Sequence, residues 1–274
     1  MVAALCIRGR NFFMGQIHKL VDKTEDKSQK KGIFATMTTT NPSSSKKAQI
    51  GKMFDNIAPT YDRLNHILSM NIDHLWRRRA VKEVCRLQPR HILDVATGTG
   101  DLAIALARKL PCCPIMAIDL SEKMLAIAEQ KVEARNLGGQ ILLAQGDVDN
   151  LDFEDESFDM VTVGFGVRNF TDLDRALGEM RRTIREGGLI VILELSNPRG
   201  KLFAGIYRWY SHKVLPFVGK LLSRQPAAYK YLPASVDQFP TPERFVERLK
   251  QAGFRNCTVQ RLSFGIARLY IAQR

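Results

Sequence analysis

The stretch Ile92-Leu93-Asp94-Val95-Ala96-Thr97-Gly98-Thr99-Gly100 limits what this chain can fold into more than any other. Aliphatic residues surround an acid, a small-residue loop with two glycines follows, and a helix-compatible run occupies 101–109. That order reads as a strand, a tight turn and a helix N-terminus. It is the opening unit of an open α/β sheet, and in such sheets a nucleotide-like ligand sits at this edge. Glycine serves the loop because a side chain would hold the ligand away from the backbone.

Two ligand classes fit the loop. Gly98-Thr99-Gly100-Asp101-Leu102-Ala103 is the Gly-x-Gly-x-x-Ala form of a dinucleotide fingerprint, in which backbone N–H groups and the helix dipole face a pyrophosphate. The alternative is S-adenosylmethionine, which has no phosphate and carries a positive sulfonium. Asp101 directly after the loop repels a pyrophosphate and tolerates a cation, and Asp94 at the strand end suits an ammonium group. A glycine turn without any ligand is the third reading of the loop taken alone.

The next segments separate these readings. Residues 115–119 read as a second strand ending in Asp119, which lies 19 residues after Gly100, the spacing of a carboxylate that holds ribose hydroxyls. Ser121 is placed to cap an amphipathic helix over 121–136, with Met124, Leu125, Ala128 and Val132 on one face. A third strand at 141–144 runs into Gly146, Asp147 and Val148, where an acid accepts the adenine amino group. A fourth strand is expected at 157–163, followed by Gly164. One such acid is ordinary as a solvated loop carboxylate. Asp94, Asp119 and Asp147 at three successive strand ends are a pattern.

This set resembles the class I S-adenosylmethionine-dependent methyltransferases over residues 91–195. Gly187-Gly188 ahead of a fifth strand at 189–194 adds to the likeness, and with the later acids it argues against a dehydrogenase. Ala96 is a departure, standing where that family usually has its first glycine. The resemblance implies a Rossmann-like α/β fold with a seven-stranded, mostly parallel sheet and helices on both faces. It implies S-adenosylmethionine as cofactor, held by Asp94, Thr97, Gly98, Thr99, Gly100, Asp119, Asp147, Val148 and Gly164. Residues 241–252 are expected as the helix before the last two strands, with an antiparallel hairpin around Gly265.

The flanks carry a sharper likeness. Tyr61-Asp62-x-Leu64-Asn65-x-x-Leu68-Ser69 with Trp76 resembles the N-terminal signature of the ubiquinone/menaquinone biosynthesis C-methyltransferases. Arg182-x-x-Arg185-x-Gly187-Gly188 through Ser196 resembles their second signature, and Gly164-Phe165-Gly166-Val167-Arg168-Asn169 matches the loop after strand four. Tyr229, Tyr231, Leu232, Ser235 and the ending 265–270 also match, so the likeness covers 50–274. Asp73 stands where the first signature most often has His, in the manner of bacterial menaquinone-pathway members.

That resemblance implies methyl transfer to a ring carbon of a reduced polyprenyl quinone, converting demethylmenaquinol to menaquinol. A benzoquinol of ubiquinone synthesis is the alternative substrate, and a noncatalytic scaffold in a quinone-synthesis complex is the alternative role. Arg168 and Asn169 follow strand four at the ligand edge, where a fixed cation and an amide donor would stabilise a quinolate. Tyr61 and Asp62, on an N-terminal helical flap, would complete the pocket or relay a proton. The plain alternative for Arg168 is a salt bridge to Asp172 or Asp174.

The chain has 274 residues and a net charge of +13, and residues 1–47 hold nine Lys or Arg against three acids. No nucleic-acid motif accompanies this charge, and aromatic residues are not interleaved with it as a stacking platform requires. A membrane surface is the preferred partner. The stretch 201–222 mixes Trp209, Tyr207 and Tyr210 with Lys and Arg, a composition suited to a membrane interface or to a cap over the substrate. No run approaches the about 18 apolar residues of a membrane span. Five cysteines, an odd number without Cys-x-x-Cys, point to reduced thiols in a cytosol-like compartment, and the five histidines show no metal-ligand spacing.

The expected division is an extension without structure at 1–47 and one domain at 48–274. Within that domain come a flap at 48–90, a cofactor core at 91–199, a cap at 200–235 and a C-terminal part at 236–274. A mitochondrial transit segment is weakened by Asp22, Glu25 and Asp26, and Met37 is an alternative start. Cytoplasmic location, peripheral on the inner face of a membrane, is therefore preferred over the mitochondrial matrix. Nothing in the sequence marks an interface, so a homo-oligomer stays open.

Overall fold

The computed structural model describes residues 42–198 and 226–274, together with Gly205, Tyr210 and Lys213. Two helices come first: α1 (Pro42–Leu68) and α2 (Ile72–Leu87). Met70 and Asn71 break them with left-handed φ of 52° and 59°, a conformation that Asn tolerates better than most residues. Helix α1 begins at Pro42, so residues 42–47 of the stretch expected to lack structure are helical. Much of the expected cap, including Trp209, lies outside the described residues.

The alternating elements then follow: β1 (Ile92–Val95), α3 (Asp101–Ala107), β2 (Ile115–Asp119), α4 (Glu122–Glu133), β3 (Ile141–Gln145) and β4 (Phe158–Gly164). A 3₁₀ turn at Val167–Asn169 leads to α5 (Leu173–Thr183) and β5 (Ile184–Leu195). After the cap come α6 (Pro226–Gln238), α7 (Pro242–Gln251), β6 (Arg255–Leu262) and β7 (Ala267–Gln273). The sheet order is β3-β2-β1-β4-β5-β7-β6. The first five strands run parallel, and β7 is antiparallel to both β5 and β6. This is the expected seven-stranded, mostly parallel sheet, with the hairpin turning at Ser263–Gly265.

Both faces of the sheet are covered, which is why its strands are nearly continuously apolar. Ile92, Ile115, Ala117 and Leu193 pack under α2 and α3, against Trp76, Val84 and Leu106. Leu93, Met116, Val161 and Ile190 pack on the other face against Met180 of α5 and Phe245 and Leu249 of α7. Ser121 caps α4 by accepting from the Met124 amide at 3.2 Å, as its position predicts. Gly187-Gly188 is not a turn ahead of β5: the strand starts at Ile184 and the pair forms an irregularity within it. A Cβ on Gly188 would lie 2.6 Å from the Asp159 carbonyl oxygen, so β5 needs glycine there to lie beside β4.

Candidate functional site

The carboxyl ends of β1, β2 and β4 meet under α1, and a cavity of about 490 Å³ lies between them. Its floor is the loop after β1. Ala96, Gly98 and Gly100 all have positive φ, at 52°, 57° and 79°. Ala96 therefore takes the left-handed conformation usually left to glycine, and the loop closes all the same. A Cβ on Gly98 would meet nothing within 4 Å, so this glycine is required by its φ and by its face toward the cavity, not by protein packing.

Asp94 is fully buried beneath the loop. It accepts from Thr97 Oγ1 at 2.7 Å and Thr162 Oγ1 at 2.5 Å. Burial pushes its pKa up to about 6, against the pull of those two hydroxyls and with a push from the Asp119 charge. Asp119 accepts from the Gly98 amide at 2.8 Å and the Ser121 amide at 2.9 Å. Burial raises its pKa too, although the backbone donors resist. Asp119 thus fixes the glycine loop from the neighbouring strand. Val148, Gly164, Thr97 and Thr99 also line the cavity.

Asp147 lies in the same wall, but its partner was not legible. Lys47 Nζ reaches both of its oxygens at 2.8 and 2.7 Å and also pairs with Asp149. Burial opposes the Lys47 charge, yet the two carboxylates hold its pKa above the ordinary lysine value. Lys47 fell in the stretch expected to lack structure, and nothing local announces a contact 100 residues away.

Arg168 is buried and pairs with Glu194, not with Asp172 or Asp174. Its Nη1 donates to Glu194 Oε1 at 2.7 Å, its backbone N–H donates to Oε2 at 3.1 Å, and Nη1 also bonds the Phe165 carbonyl. Asp172 instead caps α5, and Asp174 pairs with Arg248. Burial works against the Arg168 charge, but Glu194, with Tyr61 and Tyr231 nearby, raises its pKa further. Its Nε is buried without a hydrogen-bond partner among the described residues. Glu194 is the sequence signal that was missed: an acid inside an apolar strand needs a buried partner.

Tyr61 and Asn169 line the cavity together with Arg168. The Tyr61 phenol is pushed up by burial, against the attraction of Arg168 and a hydrogen bond with Asn65. Asn169 Oδ1 accepts from Tyr231 Oη at 3.1 Å, which leaves its amide hydrogens for other acceptors. Asp62 also lines the cavity. It accepts from Thr99 Oγ1 at 2.5 Å and Lys131 Nζ at 2.7 Å, so it ties α1 to the glycine loop.

Lys131 also pairs with Asp101, which approaches Arg77 at 3.3 Å. Together, Lys131 and Arg77 hold the Asp101 carboxyl below its ordinary range in spite of burial. Next in this network are Asp73 and the stacked rings of His66 and His74. The structure thus groups histidines whose spacing gave no such sign: ligand atoms of His66, Asp73 and His74 lie within 4.8 Å of one another. Arg77 bonds the same Asp73 oxygen that His66 uses. A guanidinium in that position repels a cation, so the group is a hydrogen-bonded network.

The family model described as the ubiE/COQ5 methyltransferase family matches residues 42–274. A demethylmenaquinone methyltransferase from Bacteroides fragilis is 43% identical over 229 residues, covering 84% of this chain and 94% of that protein. One from Thermus thermophilus is 44% identical, covering 81% of this chain and all of that protein. A protein from Geotalea daltonii named ubiquinone/menaquinone biosynthesis C-methyltransferase UbiE is 44% identical over 82% of this chain and 96% of its own length. Among solved structures, a possible histamine N-methyltransferase from Thermotoga maritima superposes with a TM-score of 0.57 at 20% identity, over 82% of this chain and 99% of that one. The [4+2]-cyclase SpnF superposes with a TM-score of 0.60 at 17% identity, over 83% and 96%. These structures share the fold, and the cyclase among them shows that the fold alone does not set the reaction. With a model matched from α1 to the last residue and relatives above 40% identity along nearly their full length, the chain belongs to the ubiE/COQ5 methyltransferase family.

Proposed function

We propose that this chain is an S-adenosylmethionine-dependent C-methyltransferase that converts demethylmenaquinol to menaquinol. The observation that carries this reading is the match to demethylmenaquinone methyltransferases along nearly their whole length. The cavity fits the methyl donor: Gly98 leaves room at the loop, and Asp94, Asp119 and Asp147 favour a cation and ribose hydroxyls over a pyrophosphate. When bound, the donor supplies an electrophilic methyl group on a sulfonium.

The remaining work falls to the protein. A quinol hydroxyl is a phenol with a pKa of about 10, and its anion pushes electron density onto the adjacent ring carbon. Arg168, charged and buried with Nε unpaired among the described residues, is suited to hold that anion. Asn169 donates beside it, with its amide oriented by Tyr231. Tyr61 closes the pocket from the flap. Asp62 supports catalysis by holding the flap to the loop.

Labelled S-adenosylmethionine offered with reduced demethylmenaquinol and the demethylated benzoquinol, side by side in detergent, tests this. Label on the naphthoquinol alone is the expected result. Label on the benzoquinol alone moves the assignment to ubiquinone synthesis, a reading favoured by relatives named for both quinones. Label on neither, with donor binding intact, replaces catalysis on quinols by the scaffold reading.

The polyprenyl substrate also calls for contact with a bilayer, on the inner face of a cytoplasmic membrane. No helix among the described residues is long and apolar enough to cross one. Met70 and Leu75 are 68% and 58% exposed beside the helix break, and Met70 also lines the cavity. From the cap, Tyr210 Oη donates to the Leu68 carbonyl at 2.8 Å. Liposome flotation is expected to weaken in Met70→Lys with Leu75→Lys, and unchanged flotation removes this contact.

A further inference from the structure

His66 is the imidazole of the cavity wall, and it is held as a base is held. Its Nδ1 lies 2.7 Å from Asp73 Oδ2. Asp73 is buried and is itself fixed from the far side, by Ser69 Oγ at 2.6 Å and by Arg77. Ser69 and Arg77 hold the Asp73 carboxyl below its ordinary range in spite of burial, so at neutral pH it is an acceptor. An acceptor at Nδ1 places the neutral ring's proton there and leaves the lone pair on Nε2. Nε2 is 3.9 Å from Asp101 Oδ2, beyond hydrogen-bond reach.

The network around the ring contains the carboxylates of Asp62, Asp73 and Asp101 and the cations Arg77 and Lys131. The exposed His74 ring stacks on His66 at 4.4 Å.

We propose that His66, oriented by Asp73, is the proton acceptor of the methyl-transfer reaction. The inference rests on the quinol methyltransferase reading above. The quinol O–H bond breaks and its electron pair stays on oxygen, held by Arg168, while an N–H bond forms at His66 Nε2. The ring carbon then bonds the methyl group as the carbon–sulfur bond breaks, its electron pair staying on sulfur. The same ring carbon loses its hydrogen as a proton to solvent, which restores aromaticity. That loss leaves the negative charge on the quinol oxygen again, and His66 returns its proton there, so the product leaves as the quinol and one proton is released overall. Arg168 stabilises the anion but cannot accept a proton, and Asp62 is tied to Lys131, whereas the Asp73-oriented imidazole offers a lone pair at Nε2.

Two measurements test this. In the full-length protein labelled with ¹⁵N-histidine, without substrate, neutral His66 is expected to carry its proton on Nδ1, and Asp73→Asn to disturb that tautomer. A proton on Nε2 in the wild type overturns the proposal, because no lone pair then serves the cavity. In the quinol assay, His66→Gln is expected to lower kcat by on the order of 10²–10⁴-fold. Its KM for the methyl donor should change less than about threefold, and the fall in wild-type kcat at acid pH should disappear. A His66→Gln enzyme with wild-type kcat and an unchanged pH profile overturns the proposal. If the wild type methylates neither quinol, the substrate reading fails, and the tautomer alone decides whether His66 is built to accept a proton.

Discussion

Ala96 shows how a residue that departs from a loop's usual glycine is accommodated one strand away. A Cβ on Gly166 would lie 2.6 Å from the Ala96 Cβ, so the methyl at 96 occupies the space that glycine leaves at 166. Gly166 has an ordinary φ of −106°, so alanine there is opposed by contact and not by backbone conformation. Gly166→Ala is expected to cost about 1–3 kcal/mol in urea unfolding. Ala96→Gly in the same chain should recover most of that loss, because it removes the opposing methyl. Asp94 makes a second prediction at this scale. Its folded-state pKa of about 6 stands above the ordinary 3.8, so the folded chain binds this proton more tightly than the unfolded chain does. Its contribution is complete below about pH 4 and is lost as pH rises through 6, about 3 kcal/mol in all. Asp94→Asn cannot ionise. Between pH 4 and pH 7 its stability should therefore gain on the wild type by about that amount, and a pH-independent difference would sink the assignment.

At the scale of elements, the flap is fastened to the core by side chains of α1. Asp55 accepts from Ser121 Oγ at 2.5 Å, Asp62 bonds Thr99 and Lys131, and Lys47 pairs with Asp147 and Asp149. Ile57 and Ala58 pack on Met124 beneath them. Lys47 lies within the first two turns of α1, ahead of that apolar contact, so its ion pairs are the main tie of that end. Lys47→Ala is expected to speed amide hydrogen exchange at the start of α1 and leave α4 unchanged. Equal exchange in both proteins would mean that packing alone holds the helix. The strands, the Ser121 cap and the three strand-end acids were legible because each is local: alternation, a hydroxyl before a helix, an acid after an apolar run. Lys47, Lys131 and Glu194 were not, because each gains its meaning from a partner on a distant element. His66 and Asp73 lie closer in sequence, but their meeting depends on the left-handed break at Met70 and Asn71, which no residue pattern announced.

Across the whole molecule, the parallel order puts every chemical group at one edge of the sheet, and Arg168–Glu194 is the place where stability and function meet there. The pair joins the loop after β4 to β5, and both side chains are almost completely removed from water. Breaking one partner of a buried pair leaves a charge without compensation, which costs about 3–5 kcal/mol. Glu194→Gln is therefore expected to lower stability by that order, and Arg168→Met to do likewise by stranding Glu194. Replacing both, Arg168→Met with Glu194→Leu, removes both charges together. The double variant should be more stable than either single variant, yet short of the wild type because the Arg168 and Leu195 amides lose Glu194 as acceptor. It should still bind S-adenosylmethionine, since Asp94, Asp119 and the glycine loop are untouched, yet transfer no methyl group. Unfolding curves and calorimetric binding beside the labelled-methyl assay separate these outcomes. A folded double variant with wild-type turnover would make the pair purely structural, and a folded, donor-binding and inactive one would identify Arg168 as a charge kept for the reaction.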